Sequence, residues 1–327
     1  MSKYKMNRRL SIAPMMDHTD KHFRYFMRLL SKHAVLYTEM ITTGALIHGD
    51  RKRFLDFNEI EHPLAIQLGG NNPNDLAECA HIAESEGYDE VNLNIGCPSD
   101  RVQNGQFGAC LMSNTKLVGE CVDRIQAIVQ IPVTVKTRIG IDDLDSYKFL
   151  KEFVKIVSEA GCDTFIIHAR KAILNGLSPK ENRELPPLHY ERVHKIKQEF
   201  PALNITINGG FTELDQIKSQ LEYVDGVMVG RAAYQNPFML AEADKLLFED
   251  SSPLATREEI LNKFKNYADK QTQQGVNIKN LTRHIIGLYQ GLPGARKYRR
   301  LLSDAIPKDQ NNIQFLDNII QSVSTIL

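Results

Sequence analysis

The sequence has few cysteines, no long apolar run and no net charge. Its five cysteines are odd in number and include no CxxC pair, a pattern that favours reduced thiols in a cytosol over a disulfide framework. The N-terminal segment MSKYKMNRRLSIAP lacks the apolar core of a signal peptide, and no apolar run approaches the length of a membrane span. We therefore expect a soluble, cytoplasmic protein.

Two nucleotide-binding signatures are also missing. No GxGxxG opens a predicted helix and no GxxxxGK[ST] occurs, which disfavours a dinucleotide fold and a P-loop. His18 and His22 have the i, i+4 spacing of a metal pair, but no further ligand cluster accompanies them. We therefore predict no metal site, and a capping and surface role for both histidines.

The net charge of zero hides an uneven distribution. Between Lys263 and Arg300 there are nine Lys or Arg and one acid, Asp269, so this segment carries +8 and the remainder carries −8. A basic module on a mildly acidic body is a cue for nucleic acid. A solvated helical surface would give the same charge, and the charge alone does not separate the two.

Strand and helix patterns alternate through the first 250 residues. Apolar strand patterns occur near residues 10–16, 36–41, 64–69, 91–96, 133–139, 164–170, 205–210 and 226–231. Helical patterns lie between them, near residues 19–31, 75–86, 115–129, 145–160, 188–200, 213–220 and 237–247. Eight alternating units predict an α/β fold of the (β/α)8 TIM-barrel type, with a doubly wound sheet as the alternative.

The pattern changes after Glu249. Residues 251–255 form a polar linker, and Thr256 with Glu259 forms a capping box at the start of a helix. Further helical patterns occur near residues 282–289, 294–303 and 313–326. We predict a barrel domain over residues 1–250 and a small all-helical domain over residues 251–327.

A cysteine directly follows the fourth predicted strand. Val91, Leu93 and Ile95 alternate with polar residues, and Pro98 then prevents the strand from continuing. The Cys97 thiol should therefore lie beyond the carboxyl end of the strand, where parallel α/β folds carry their chemistry. From this pattern alone an ordinary buried thiol is the commoner outcome.

Residues two apart on a predicted strand share a face, and on several strands one such face is mainly polar. The in-phase sets are Gln67 with Gly69, Asn92 with Asn94, Thr134 with Lys136 and Arg138, Ile166 with His168 and Arg170, and Thr206 with Asn208. These sets should point into the barrel, because the outer strand face packs on helices. Glycines then end strands seven and eight, followed by Arg231, which is the usual position of a phosphate site in this barrel.

Long stretches of the chain resemble the flavin-dependent tRNA-dihydrouridine synthases, and most closely their DusA branch. The matching segments include APMMDHTD, YTEMITTGALIHG, AIQLGG, NLNIGCPSDRVQNGQFGACLM, VTVKTRIGID, IIHARKAILNGLSPKENRELPPL, INGG, GVMVGRAAYQNP and RHIIGLYQGLPGARKYRRLLS. The resemblance implies FMN as cofactor, NADPH as reductant and the tRNA D-loop as substrate, with uridines 20 and 20a reduced. It also implies that Cys97 donates a proton to C5 of the uracil while reduced FMN delivers hydride to C6.

The same resemblance assigns roles to further residues. It implies that the flavin ring packs against Pro14, Met15 and Met16. It implies that the polar edge of the flavin is held by Gln67, Lys136 and His168. It implies that the ribityl chain and phosphate are bound by Asn208, Gly209, Gly210, Gly230 and Arg231. It also implies that the tRNA is contacted by Asn94, Lys180, Arg183, Arg296 and Arg299.

Two other functions share part of this pattern. A different FMN barrel reductase, acting on a small pyrimidine-like substrate, would share the phosphate site and the mouth cysteine but would not need the basic helical segment. A tRNA-binding chaperone without catalysis would need that segment but not Cys97 together with Lys136.

Overall fold

The computed structural model describes residues 6–305 together with residues 316, 317 and 319. Eight parallel strands follow one another in chain order around a closed barrel, and the last pairs with the first. They are β1 (Leu10–Ile12), β2 (Val35–Thr42), β3 (Leu64–Gly69), β4 (Glu90–Ile95), β5 (Val133–Arg138), β6 (Thr164–His168), β7 (Asn204–Asn208) and β8 (Gly226–Val229). The predicted (β/α)8 barrel is confirmed, and the doubly wound alternative is wrong because the sheet closes on itself.

Helices connect the strands on the outside of the barrel. They are α1 (Lys21–Leu30), α2 (Thr43–His48), α3 (Arg51–Leu55), α4 (Pro73–Glu86), α5 (Asp100–Asn104), α6 (Thr115–Gln126), α7 (Tyr147–Glu159), α8 (Tyr190–Glu199), α9 (Leu214–Gln220), α10 (Arg231–Gln235) and α11 (Ala243–Phe248). Short 3-10 segments lie at Glu59–Glu61, Gly108–Asn114, Glu181–Arg183 and Pro237–Glu242. The sequence patterns missed α2, α3, α5 and α10, because a helix of five or six residues is too short to show a clear helical period.

Side-chain alternation along the strands separates two apolar regions. Outward-facing residues such as Ile66, Leu93 and Val135 are fully buried against the helices. A smaller cluster that includes Tyr37 and Ile166 fills the interior of the barrel. Above this cluster, toward the carboxyl ends of the strands, the interior is polar, so the strand phases predicted a polar mouth correctly.

After α11 the described residues form helices and turns. They are α12 (Arg257–Gln273), α13 (Ile278–Thr282) and α14 (Ala295–Ala305). The predicted capping box is confirmed: Glu259 N donates to the Thr256 hydroxyl, and Thr256 N donates to the Glu259 carboxylate. The division into domains 1–250 and 251–327 stays a prediction, and the helix predicted near residues 313–326 lies outside the described residues apart from 316, 317 and 319. Among the described helices, none has both the length and the apolar character that a bilayer span requires.

The helix predicted near residues 282–289 is wrong. α13 ends at Thr282, and the next residues form turns in which an N–H bonds to the carbonyl three residues back, as Ile285 does to Thr282 at 3.2 Å. A Cβ at Gly287 would lie 2.7 Å from the Gln235 carbonyl oxygen, so this segment approaches α10 more closely than any other residue would allow. Ile285, Leu288 and Tyr289 are still buried, which is why the sequence pattern resembled that of a helix.

α1 holds the C-terminal helices against the barrel. Its N-cap residue Asp20 accepts the N–H groups of His22 and Phe23, at 3.0 and 2.9 Å, and also pairs with Arg283 and His284. His22 is buried, and its Nδ1 lies 2.7 Å from the Tyr267 hydroxyl on α12. The surface role predicted for His22 is therefore wrong. The loop after β1 ends at Asp20, so it is bonded directly to the turn that follows α13.

We expect the packing of α1 on α12 to weaken in acid because of His22. Burial lowers the pKa of His22 from 6.5 to about 4. Between these values the unfolded chain binds a proton that the folded chain does not, so stability falls as the pH drops. Urea denaturation at pH 7 and pH 5 should show a loss of about 2 kcal/mol that His22→Phe lacks. His81→Phe, at an exposed histidine of α4, is the control; an equal pH dependence in His22→Phe and wild type would contradict this.

Candidate active site

Cys97 lies at the mouth of the barrel, two residues beyond the end of β4, and its side chain is half-buried. The Asn94 side chain shapes this turn: its Oδ1 accepts the backbone N–H of Gly96 at 3.1 Å and that of Cys97 at 2.9 Å. The Cys97 carbonyl accepts Ala109 N at 2.9 Å. Gly108 has φ +73°, and a Cβ there would lie 2.7 Å from the Cys97 carbonyl oxygen. Backbone contacts on both sides therefore fix the position of the thiol.

The Cys97 sulfur has a hydroxyl neighbour. The Ser99 oxygen lies 3.5 Å from Sγ. Ser99 is the N-cap residue of α5, yet its side chain makes no capping bond to that helix. The hydroxyl therefore faces the thiol rather than the helix.

Three cationic or basic side chains converge beside the thiol on β5 and β6. Burial, and then the charge of Arg138, lower the pKa of Lys136 to about 8. Burial lowers the pKa of Arg138 to about 10. Burial, followed by the charges of Arg138 and Lys136, holds the pKa of His168 well below its usual value, so its imidazole is neutral. Such an excess of buried positive charge is suited to an anionic ligand.

The ends of β7 and β8 lie next to these groups. Lys136 Nζ donates to Asn208 Oδ1 at 3.3 Å, and Asn208 Nδ2 donates to the Met228 carbonyl at 2.8 Å. Gly209 has φ +122°, and a Cβ there would lie 2.7 Å from the ring of His168. Gly210 also has a positive φ. The structure therefore brings Lys136, His168 and Asn208 together, as the strand phases predicted, and Gly209 and Gly210 lie beside them.

The loop after β1 closes another side of the mouth. Ala13 N donates to the Val229 carbonyl at 2.8 Å, which keeps the start of this loop beside the end of β8. A Cβ at Gly230 would lie 4.0 Å from the sulfur of Met15. Pro14 is half-buried, and the Met16 side chain is 57% exposed. These residues give the polar mouth one apolar wall.

Arg231 is turned toward the loop after β6. It opens α10 with Gly230 as the N-cap residue, and its guanidinium pairs with Glu184 at 2.5 Å. Its second nitrogen lies 3.4 Å from the Arg183 carbonyl. The structure therefore brings Arg231 to the rim, where it supports the loop that carries Arg183.

A buried arginine joins this β6 loop to the turn that carries the thiol. Arg138 Nε donates to the Gly96 carbonyl at 2.9 Å, and its Nη1 donates to the carbonyls of Lys171 and Asn182, both at 3.0 Å. The acceptors of these three bonds are carbonyl oxygens rather than carboxylates. The residue before Cys97 and two residues of the β6 loop are therefore bonded to one side chain.

Gln103 makes a second connection between the same two segments. Its single side-chain amide group donates to the Pro98 carbonyl and to the Leu174 carbonyl, both at 2.9 Å. Asn182, which is fully buried, organises the β6 loop itself through bonds to Ile173 N and O at 2.7 and 2.8 Å. Lys180 and Arg183 flank Asn182 on this loop and are exposed. Two exposed cations thus lie on a loop that is bonded to the turn at residues 96–98, which carries Cys97 and which we call the thiol turn.

The remaining cations predicted to contact tRNA lie on α14. Arg296 is exposed, and Arg299 is half-buried with Nη1 2.8 Å from the Gln290 side-chain oxygen. Arg296 precedes Tyr298 by two residues and Arg299 follows it directly. The buried hydroxyl of Tyr298 donates to the Ile285 carbonyl at 3.0 Å. The packing of Tyr298 leaves the two arginines on the other side of the helix.

Sequence reasoning missed two residues of this site, Gln103 and Asn182. Strand parity predicted that Arg138 points into the barrel with Lys136, two residues away, but assigned it no role. For Gln103 and Asn182 no periodic signal exists, since both lie in irregular segments or single helical turns.

One trio of possible metal ligands occurs within the described part of the chain. It consists of His33, Asp244 and Asp250. His33 pairs with Asp250 at 2.8 Å, while Asp244 accepts bonds from the Ser31 hydroxyl and from Lys32 N. Protein groups therefore already occupy these carboxylates.

The chain matches one protein-family model over most of its length. The model, described as dihydrouridine synthase (Dus), matches residues 11–324. The tRNA-dihydrouridine(20/20a) synthase of Shewanella oneidensis is 57% identical over 322 residues, which are 98% of this chain and 96% of that protein. Proteins of the same name are 54% identical in Vibrio cholerae, over 96% of each chain, and in Escherichia coli K12, over 97% of this chain and 92% of the relative.

Two solved structures share the barrel at low identity. An old yellow enzyme homologue from Zymomonas mobilis has a TM-score of 0.53 at 12% identity and covers 78% of this chain and 92% of its own. A 2-naphthoyl-CoA reductase complex has a TM-score of 0.56 at 11% identity and covers 74% and 51%. At these identities the likeness concerns the fold alone. The family match and the three relatives go further, and they show that this chain belongs to the dihydrouridine synthase family.

Proposed function

We propose that this protein reduces the C5–C6 double bond of uridines 20 and 20a in the D-loop of tRNA, giving 5,6-dihydrouridine. The relatives at 54–57% identity carry the name of this activity. The observation that carries the proposal is the position of Cys97. Its thiol stands at the barrel mouth near Lys136 and Arg138, which also lie near His168, so an acid and a binding site for an anion come together there.

FMN is the cofactor that fits these groups. The buried positive charge at Lys136 and Arg138 suits a ligand that carries a phosphate and becomes anionic on reduction. When bound, the flavin would supply the hydride for C6 of the uracil, with NADPH as its reductant. The flavin ring would lie by Pro14, Met15 and Met16. Its polar edge would be held by Gln67, Lys136 and His168. Its ribityl chain and phosphate would be held by Asn208, Gly209, Gly210, Gly230 and Arg231.

Cys97 would donate the proton that C5 requires. A free thiol is mostly protonated at neutral pH, so it can act as a general acid. The S–H bond breaks as the C5–H bond forms, and the sulfur later regains a proton from solvent. The bonds from Asn94 and Ala109 to the Cys97 backbone would keep the sulfur in place during this transfer.

The surface cations would hold the RNA outside the mouth. A uridine must leave its stack to enter a barrel, which requires a firm hold on the flanking phosphates. Lys180 and Arg183 on the β6 loop, with Arg296 and Arg299 on α14, would supply it. Asn94 would contact the uridine from inside the mouth with its remaining hydrogen-bonding capacity. We place this activity in the cytoplasm, where tRNA is modified.

Replacing Cys97 with alanine should separate the two half-reactions. We expect Cys97→Ala to keep bound flavin and NADPH oxidation but to lose roughly 100-fold or more in dihydrouridine formation, because only the proton donor is removed. Nucleoside mass spectrometry of an unmodified tRNA transcript, with position mapping, measures the product. Cys110→Ala, at a half-buried cysteine thirteen residues further on, should retain activity. Full activity of Cys97→Ala would contradict the assignment.

Gly209→Ala should reduce flavin binding. The new Cβ would lie 2.7 Å from the ring of His168, and φ of +122° adds backbone strain. The flavin-to-protein ratio, read from the visible absorbance of the purified protein, should fall severalfold. Gly275→Ala is matched to it, since Gly275 has φ +89° with no atom within 4 Å of the added Cβ. A yellow Gly209→Ala protein with the wild-type ratio would remove this turn from the flavin site.

Arg296→Ala and Arg299→Ala should weaken tRNA binding without changing the flavin spectrum. Each lost phosphate contact should reduce the slope of log K against log salt by about 0.7 to 0.9. Filter binding or fluorescence titration across a salt series measures both effects. Lys155→Ala, at an exposed lysine on α7, should leave the slope unchanged. Wild-type affinity of the Arg296→Ala, Arg299→Ala double variant at all salt concentrations would exclude α14 from the RNA site.

A further inference from the structure

Five polar side chains form a continuous chain of hydrogen bonds inside the barrel, from its lower end to the thiol turn. We call this the amide chain. Its bonds run from Asn94 Nδ2 to Gln67 Oε1, from Gln67 Nε2 to Asn92 Oδ1, from Asn92 Nδ2 to Thr134 Oγ1, all at 2.8 Å, and from Thr134 Oγ1 to Glu90 Oε1 at 2.6 Å. Every donor in it points the same way, toward Glu90.

The direction of the amide chain is set at Glu90. This residue is fully buried, and its second carboxylate oxygen pairs with Arg8. The Tyr37 hydroxyl donates to Glu90 Oε1, the oxygen that also accepts from Thr134, at 2.8 Å. A carboxylate that pairs with a guanidinium can only accept hydrogen bonds, so the Thr134 hydroxyl has to donate its single proton to Glu90.

This one constraint then fixes each amide in turn. Because Thr134 has used its proton, its oxygen accepts from Asn92, and the Asn92 amide group must face it. The Asn92 oxygen is thereby turned toward Gln67, which has to donate. The Gln67 oxygen is in turn left facing Asn94, which must also donate its N–H. A side-chain amide could otherwise adopt either orientation at little cost.

The consequence appears at the mouth. With its N–H group directed to Gln67, Asn94 presents its oxygen to the N–H groups of Gly96 and Cys97, at 3.1 and 2.9 Å. The opposite orientation would place an N–H group against two backbone donors and leave the turn without its acceptor. We propose that Glu90 is a positioning residue, which orients the thiol turn through Thr134, Asn92, Gln67 and Asn94 without touching substrate or cofactor.

This role gives a reason for a buried ion pair at the bottom of the barrel. A buried salt bridge contributes little net stability, because removing two charges from water offsets their attraction. An ion pair, however, cannot reverse its hydrogen-bond polarity, because the carboxylate only accepts and the guanidinium only donates. Glu90 with Arg8 can therefore impose a single orientation on the side-chain amides of the chain.

Glu90→Gln is the sharpest test, because it keeps the shape and reverses the polarity. Arg8 needs an acceptor, so the new amide oxygen should stay on Arg8 and its N–H group should face Thr134. The amide chain can then reverse, and Asn94 loses its hold on the turn. We expect faster hydrogen–deuterium exchange in peptides containing Gly96 and Cys97. We also expect kcat for tRNA to fall by about 10- to 100-fold, with KM changed by less than about twofold.

Glu61→Gln is the matched control. Glu61 is also fully buried and paired with an arginine, Arg24, at 2.7 Å, but it takes no part in the amide chain. It should lose stability in the same way and yet keep wild-type exchange at Gly96 and Cys97 and wild-type kcat. Wild-type exchange at these residues in Glu90→Gln, or equal changes in the two variants, would overturn the proposal.

A second pair serves if Glu90→Gln does not fold. Thr134→Val keeps the shape but removes the hydroxyl, so Glu90 no longer directs Asn92, whereas Thr134→Ser keeps the hydroxyl. Faster exchange at Gly96 and Cys97 in the valine variant, with the serine variant at wild-type rates, would support the amide chain. Equal exchange in the two would overturn it.

The role of the thiol turn in catalysis rests on the proposed function, but the exchange measurement does not. It uses the full-length protein without tRNA. If the wild type forms no dihydrouridine, the proposed function fails, while exchange at Gly96 and Cys97 still decides whether Glu90 directs the turn.

Discussion

A polar group that is buried inside a closed barrel costs free energy when it is left unpaired, and this constraint governs the site. The buried amides and charges here therefore bond to neighbours on adjacent strands. In this protein the requirement starts from Glu90 and Arg8 and reaches Asn94, four residues further along β4. The orientation of Asn94 at the mouth would therefore depend on Glu90 and Arg8 at the opposite end of the barrel.

Acids and bases are separated along the barrel axis. The buried carboxylate Glu90 lies at the start of β4 with its arginine, whereas Lys136, Arg138 and His168 lie toward the carboxyl ends of β5 and β6. The pKa of each of these three groups is lowered, first by burial and then, for Lys136 and His168, by neighbouring cations. An anionic ligand at the mouth would relieve this cost, so the folded chain is prepared for one before it binds.

Periodicity explains which parts of this arrangement the sequence could predict. Strand phase placed Lys136, His168 and Asn208 together correctly, because the parity of a barrel strand decides which side chains face inward. Strand phase also predicted that Asn94 points into the barrel. It could not show that the Asn94 side-chain oxygen is already bonded to Gly96 N and Cys97 N. Contacts between irregular segments, such as Gln103 with Leu174, leave no periodic signal at all. The wrong helix near residues 282–289 has a related origin, since a steric contact at Gly287 overrides an apolar pattern.

The thiol turn is held from two directions, and these have different physical characters. From below, the amide chain acts through hydrogen-bond polarity on Asn94. From the side, Arg138 and Gln103 bond the turn to the β6 loop through carbonyl oxygens, and that loop carries Lys180 and Arg183 at the surface. RNA bound to these two cations would therefore rest on a segment that is already fixed to the thiol. The affinity for RNA would depend on the exposed side chains of Lys180 and Arg183, whose contacts water can replace. The rate of proton transfer would depend on buried groups, whose hydrogen bonds water cannot replace.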